Sequence, residues 1–203
     1  MTRSLEKLET ALSQNRDALE ASERQSKLAL DASIEASHIS QRAWVGVSDV
    51  VFNLLIGKPP KWVVYYENYG NTPSIYSYVL SRIVLAPRIP HVGTGQAIFP
   101  QEVKDEIVST SHLFGPTGME FTLPTRVPEH NRGEGTLIFT DAAARDIESL
   151  SSTFIVFGVI GYRDIFNRGV WHRTEFCFYY DPASALDFAG RGATSCGFAD
   201  SMN

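Results

Sequence analysis

The sequence predicts a mainly β protein with a long N-terminal α-helix, whose β part is an antiparallel, immunoglobulin-like β-sandwich of about seven strands with two short helices. Two observations lead to this fold class. Every glycine, proline and aromatic residue lies at Trp44 or beyond it. From Trp44 onward the apolar residues also take the alternating, β-branched pattern of strands. The chain therefore divides into a helix at 1–43, a sandwich domain at 44–181 and a loosely ordered tail at 182–203.

The segment 4–42 is expected to form one long helix, because it is rich in Ala, Leu, Glu and Gln and contains no helix breaker. Leucines recur there at the spacing of one helix face, and a polar residue occupies one position of the same row: Leu5, Leu8, Leu12, Asn15 and Leu19. Besides disorder of the segment, two interpretations remain open. The helix packs on its own domain and frays elsewhere, or it forms a short coiled coil over 4–30 in which Asn15 selects the register or the oligomeric state.

Strand patterns of β-branched and aromatic residues, separated by Gly, Pro and Asn, follow the helix. The predicted strands are 44–55, 61–68, 75–86, 119–123, 135–140, 153–164 and 170–180. Short helices are expected at 101–112 and at 142–150, the second with an N-cap at Thr140. In the tail, Phe188 and Phe198 are the residues expected to hold the chain to the domain.

Two turns carry specific expectations. In the Asn68–Pro73 turn, Gly70 is expected at positive φ, because one strand must reverse into the next over a few residues. The turn at Asn167 and Arg168 predicts a closing hairpin that pairs Arg163 with His172, and Tyr162 with Arg173. Its two strands are expected to be central in their sheet.

Composition excludes several classes of protein. The formal net charge of -5 argues against a general nucleic-acid binder, which needs a surplus of Lys and Arg. No apolar run is long enough for a membrane span, so a cytoplasmic location is expected, with membrane association only through a partner. Cys177 and Cys196 are expected to be reduced thiols, with Cys177 pointing into the sandwich rather than away from it. Trp44 is expected to be buried where helix meets strand.

Signatures of catalysis are lacking. The five histidines show no metal-binding spacing, and no Gly-x-Ser-x-Gly motif or phosphate-binding loop occurs. No cofactor, metal or catalytic residue is therefore predicted. On the strand at 61–68, alternation places Trp62 and Tyr66 on one face, and these aromatics are candidates for a binding surface. His172, in the closing hairpin, is a further candidate for interaction.

Three motifs together resemble those of an uncharacterised bacterial family. They are Arg42-Ala43-Trp44-Val45, an Asn-x-Gly-x-Thr-Pro turn beginning at Asn68, and a closing hairpin with Tyr162, Asp164 and Phe166. The resemblance implies a polar helix followed by a β domain, and relatives often carry a membrane helix ahead of the polar one. It implies no catalytic activity.

The function predicted from these observations is a non-enzymatic interaction or assembly module whose helix binds a second copy or a protein partner. The alternative is a ligand-binding or sensory β domain that uses its tyrosine-rich face. An enzyme with a site assembled from dispersed residues is the third reading.

Overall fold

The structure, a computed structural model, describes residues 2–88, 105, 121–182, 192–196 and 201–202, without the side chains at 2–10, 121, 201 and 202. The chain forms two compact units, Met1–Gln41 and Arg42–Asn203, which are described separately. Apart from Asp105, the predicted helix at 101–112 lies outside the described residues, as do Phe188 and Phe198.

The first unit is one uninterrupted α-helix, α1 (Thr2–Gln41), as the sequence predicts. Its 40 residues span about 60 Å at 1.5 Å per residue. Salt bridges from Arg16 and Arg24 to Glu20, one turn away on either side, lie on its surface. In the described part of the chain, no helix carries the long apolar run needed to cross a bilayer.

The second unit is built from two antiparallel sheets and a short helix, α2 (Asp141–Glu148). The smaller sheet has the strand order β1-β2-β5, with β1 (Val45–Asn53), β2 (Lys61–Asn68) and β5 (Glu129–Glu134). The larger sheet has the order β4-β3-β6-β7-β8, with β9 also paired to β7. Its strands are β3 (Ser74–Pro87), β4 (Phe121–Leu123), β6 (Ser152–Arg163), β7 (His172–Tyr180), β8 (Ala193–Ser195) and β9 (Ser201–Met202).

One apolar core is shared by both sheets and α2. It contains Phe52 and Trp62 from the smaller sheet, Phe154 and Tyr162 from the larger one, and Ile147 from α2. A second buried cluster lies on the opposite face of the larger sheet. Strand β6, which is paired to β3 and β7, is therefore covered on both faces, and the expectation of central hairpin strands is confirmed.

Helix α2 confirms the prediction of a capped helix after Thr140. The Thr140 side chain accepts a hydrogen bond from the Ala143 backbone N–H at 3.2 Å, which satisfies one of the free donors of the first turn. Ala143, Ala144 and Ile147 form its buried face.

The predicted strand at 135–140 is wrong, and the strand instead lies just before it. β5 is the polar sequence Glu129–Glu134, which among the described strands pairs with β2 alone and has exposed side chains on much of its length. Leu137 and Ile138 are exposed, although their apolar character suggested a strand. Backbone hydrogen bonds from Gly135 to Pro60 and from Phe139 to Lys58 hold this loop beside the β1–β2 turn.

The closing hairpin forms, but its predicted register is wrong by one residue. The structure pairs Tyr162 with His172 and Gly161 with Arg173. The cause is the turn, where Asp164 accepts hydrogen bonds from two following backbone N–H groups and starts a wider loop than the predicted one. A shift of one residue exchanges the faces on which β7 side chains lie.

Two predictions about cysteine are wrong for a related reason. Phe176 faces the core between the sheets, so Cys177 lies in the cluster on the opposite face of the larger sheet, where it is buried. Cys177 is joined to Cys196 by a disulfide, with Cα atoms 5.4 Å apart. The pairing of β8 with β7 brings Cys196 to this position, and the Cys196 N–H also donates to the Cys177 carbonyl.

Part of the predicted loose tail is therefore ordered. β8 and β9 both pair with β7, at Phe178–Tyr180 and at Thr174–Glu175 respectively. With these additions the described residues contain nine strands, instead of the seven expected.

Candidate functional site

The helix residues predicted to interact are exposed wherever their side chains are described. Leu12 and Leu19 are 63% and 72% exposed, and Asn15 is exposed between them. Leu5 and Leu8 lie outside the residues whose side chains the structure describes.

Two further apolar residues extend this row in a way the heptad reading missed. Leu30 and Ile34 are exposed, and in a straight helix Leu30 lies about five full turns beyond Leu12, on the same side. A strict seven-residue repeat drifts around a straight helix by about 20° per repeat, so continuing the heptad from Leu19 would reach Ala29 and Ser33 in this stretch instead. We call Leu12, Asn15, Leu19, Leu30 and Ile34 the α1 row.

Trp62 and Tyr66 are buried in the core. The prediction that they form a binding surface is therefore wrong. The Trp62 indole N–H donates to Ser81 Oγ at 2.8 Å, which links the two sheets. Burial, helped by the Glu129 carboxylate, raises the pKa of Tyr66 to about 12. The tyrosines of this segment that do reach solvent are Tyr65 and Tyr69.

Two of the three motifs of the family resemblance meet at one end of the β unit, where Asn68 bonds to both. Its Oδ1 accepts the backbone N–H groups of Trp44 and Gly70, both at 3.0 Å, and its Nδ2 donates to the Thr72 carbonyl at 2.8 Å. Asn68 is fully buried. The asparagine therefore joins the segment after α1 to the turn after β2.

Gly70 fits this junction for a reason other than the predicted one. Its φ is not positive; among the described glycines only Gly57 has a positive φ. A Cβ on Gly70 would instead lie 2.3 Å from the Arg42 carbonyl oxygen and 2.6 Å from the Trp44 nitrogen. Close approach of two backbones, rather than conformational freedom, requires glycine here.

The Arg-Ala-Trp-Val motif closes the same junction. The Arg42 guanidinium lies 3.7 Å from the centroid of the Trp44 ring, a cation–π contact. Trp44 is half-buried, so the expectation of full burial is wrong. From the closing hairpin, the Thr174 hydroxyl donates to the Val45 carbonyl and ties β7 to the start of β1.

His172 and Asp164 form a nearly buried pair at the hairpin turn, with His172 Nε2 3.0 Å from Asp164 Oδ2. Burial alone would raise the pKa of Asp164, but hydrogen bonds from the N–H groups of Asn167 and Phe166, together with His172, outweigh it and lower the pKa. The His172 ring also packs on Tyr162, with centroids 5.5 Å apart. These contacts make the pair a clamp on the turn.

A cluster that the sequence did not predict lies on the outer face of the larger sheet. It contains Tyr76, Tyr78, Arg163 and Trp171, and we call it the arginine–aromatic cluster. Its members come from β3, the end of β6 and the loop before β7. These residues share no regular spacing in the sequence, so the cluster becomes apparent only when the strands are paired.

A cavity of about 340 Å³ opens at the edge of the same sheet. Its walls are mostly apolar and come from β3, β6 and the loop after β5, including Ile83, Leu85, Leu137 and Phe157. Among the residues that the structure describes, no group of three or more potential metal ligands occurs.

Comparison with protein families, with curated proteins and with solved structures gave no match to this chain.

Proposed function

We propose that this protein is a non-enzymatic interaction and assembly module in which α1 associates with α1 of a second copy. The observation that supports it is the α1 row, in which large apolar side chains, three leucines and one isoleucine, are exposed on one side of the helix. Burial of each such leucine stabilises a complex by about 1.5 to 3 kcal/mol.

A second copy is the occupant that the row itself favours. In a parallel, in-register pair of helices, Leu12 and Leu19 of one chain meet the same residues of the other, in the knobs-into-holes manner of a coiled coil. Because a coiled coil follows the seven-residue repeat, the proposed contact is the part of the row from Leu12 to Leu19. Asn15 then meets Asn15, and the two amides can hydrogen-bond across the pair. A shift of one heptad would set one amide against Leu8 and the other against Ser22, so the paired amides favour the unshifted alignment.

The family resemblance is part of the same proposal. Support for it comes from the meeting of two of its three motifs at Asn68, Gly70 and the Trp44 backbone, since residues far apart in sequence then form one junction. The role we assign to the junction is to anchor the segment that follows α1 in the β unit.

We further propose that the β unit is an immunoglobulin-like sandwich. Immunoglobulin strands A, B and E share one sheet, and strands C, F and G share the other. The orders β1-β2-β5 and β3-β6-β7 follow that pattern. In this assignment β4 lies beside β3, and β8 and β9 are additions at β7.

The cytoplasmic location expected from the sequence is revised in this proposal. Disulfides persist mainly in oxidising compartments, and Cys177 is bonded to Cys196. We therefore propose an oxidising compartment for the β unit, which mass spectrometry of the alkylated, non-reduced protein from its native cell would test.

The test of association uses size-exclusion chromatography with light scattering on the full chain. Wild type is expected to run as an oligomer, and a Leu12→Glu, Leu19→Glu variant as a monomer. Leu28→Glu is the matched control, because Leu28 is as exposed as Leu19 but lies about half a turn around the helix. A monomeric wild type, or an oligomer that survives the double substitution, would contradict the proposal.

A further inference from the structure

We propose that the arginine–aromatic cluster is a binding site for a small aryl carboxylate, with Arg163 as the group that holds the anion. This inference is independent of the association of α1, because it concerns the outer face of the larger sheet in the β unit.

Strand register places Tyr78 and Arg163 of the cluster on one face, and ring contacts bring Trp171 and Tyr76 to it. Tyr78 and Arg173 lie opposite Gly161 on its two neighbouring strands, and Arg163 follows Gly161 by two residues. Directly opposed residues, and residues two apart, share a face of a sheet. Tyr162 points into the core, so this is the face directed away from it.

The local backbone shapes the site. Gly161 leaves room for the Tyr78 ring, since a Cβ there would lie 2.2 Å from that ring. The Trp171 ring packs edge-on against Tyr78, with centroids 5.3 Å apart. Tyr76 occupies an irregularity in β3 with φ of 52°, a conformation uncommon for a bulky residue, and its ring is exposed.

The Arg163 guanidinium lies over two of these rings. Its guanidinium carbon is 4.3 Å from the Trp171 centroid and 5.6 Å from the Tyr76 centroid. Its Nε is buried without a hydrogen-bond partner, and within the described residues no carboxylate forms a salt bridge with it. By contrast, the neighbouring Arg173 is paired with Glu175 at 3.0 Å.

An arginine in these surroundings lacks its usual counterion. The guanidinium is charged at every physiological pH and prefers the two oxygens of a carboxylate, which match its planar row of donors. The adjacent rings exclude water from part of the guanidinium, and the lower local dielectric strengthens its attraction to an anion. The exposed Tyr76 ring beside it offers a surface for a flat apolar group, so a ligand with both features fits: an aryl carboxylate.

The probe is benzoate, titrated into the full ¹⁵N-labelled chain at constant ionic strength while the arginine Nε–H resonances are recorded. The Arg163 resonance, assigned by its loss in Arg163→Lys, is expected to shift saturably, together with the Trp171 indole N–H. Uncharged benzamide is expected to produce no saturable shift. Inorganic phosphate, which lacks the aryl group, is expected to bind more weakly than benzoate.

The variants separate the site from general charge effects. Arg163→Lys keeps the charge but loses the planar donors, and it should weaken benzoate binding, followed at the Trp171 indole, by about tenfold or more. Arg168→Lys, in the exposed turn of the same hairpin, should leave binding unchanged. An equal response to benzamide, phosphate binding as tight as benzoate, an unaffected Arg163→Lys variant, or the absence of a saturable shift would each overturn the proposal. Even if a variant fails to fold, the comparison of benzoate with benzamide on wild type tests whether the protein binds an aryl carboxylate through its charge.

Discussion

The side-chain oxygen of Asn68 accepts a hydrogen bond from the backbone N–H of Trp44 at 3.0 Å, across 24 residues of sequence. This bond joins the first residues after α1 to the turn that follows β2. Because Asn68 is fully buried, all of its polar side-chain atoms need partners. The same oxygen also accepts from the Gly70 N–H, and Nδ2 donates to the carbonyls of Thr72 and Leu123. The junction therefore depends on one side chain that carries both donors and an acceptor.

Asn68→Ala is expected to destabilise the protein by about 3 kcal/mol, because the buried N–H groups of Trp44 and Gly70 would lose their acceptor. Urea unfolding of the full chain at fixed protein concentration measures this change. Asn53→Ala, at an exposed position of β1, is the control and should change the free energy of unfolding by less than about 0.5 kcal/mol. Equal effects of the two substitutions would contradict the role assigned to Asn68.

Gly70→Ala should cost about 1 to 3 kcal/mol, because the added Cβ meets the Arg42 and Trp44 backbones, which cannot rotate away as a side chain can. Gly169→Ala offers the comparison, since a Cβ at that position meets only Asn167 Oδ1 at 3.6 Å. Thermal unfolding of both variants gives the answer. If Gly70→Ala were as stable as Gly169→Ala, Gly70 would not be required by a close approach to the Arg42 and Trp44 backbone.

Acid should remove the contribution of Asp164 to the free energy of unfolding. Its pKa is lower in the folded protein than its ordinary value of 3.8, so its stabilising effect is present at neutral pH and is lost as the pH falls through the folded pKa. The free energies of unfolding of wild type and of Asp164→Asn should therefore differ most at pH 7 and converge as the pH falls below 3.8. Urea unfolding across this range measures the difference. A difference that stays constant with pH would contradict the stabilising role of the Asp164–His172 pair.

Reduction of the disulfide should destabilise the β unit by about 3 kcal/mol, the value expected for a loop of this length. Its two cysteines are 19 residues apart. Unfolding is compared with and without dithiothreitol. Cys196→Ala should be less stable than oxidised wild type and indifferent to the reductant. A wild type that is equally stable in both conditions would show that the bond contributes nothing.

Residues 42–203 alone are expected to fold, because the contacts divide the chain at Gln41 and Arg42. A truncated chain that begins at Arg42 should keep a cooperative thermal transition. Starting instead at Val45 should lower the midpoint, because it removes the Trp44 N–H and the Arg42 contacts. Loss of all structure on removal of residues 1–41 would place α1 in the core of the fold.

Local physics let the sequence alone determine α1, β1, β2, α2 and the two central strands β6 and β7. The helix follows from an absence of breakers over 40 residues, α2 from the Thr140 cap, and β6 from apolar residues on both faces. Each of these signals acts between residues close in sequence.

Tertiary structure decided everything that depends on which strand lies beside which. β5 is polar and became a strand because β2 offered an unpaired edge, whereas the more apolar 135–140 did not. The Asp164 turn moved the hairpin by one residue, and β8 brought Cys196 to Cys177, which no local pattern encodes. Trp62 and Tyr66 were assigned to a shared face by alternation, but only the packing of the second sheet made that face the core. The arginine–aromatic cluster belongs to the same category, because its residues meet only when β3, β6 and β7 are paired.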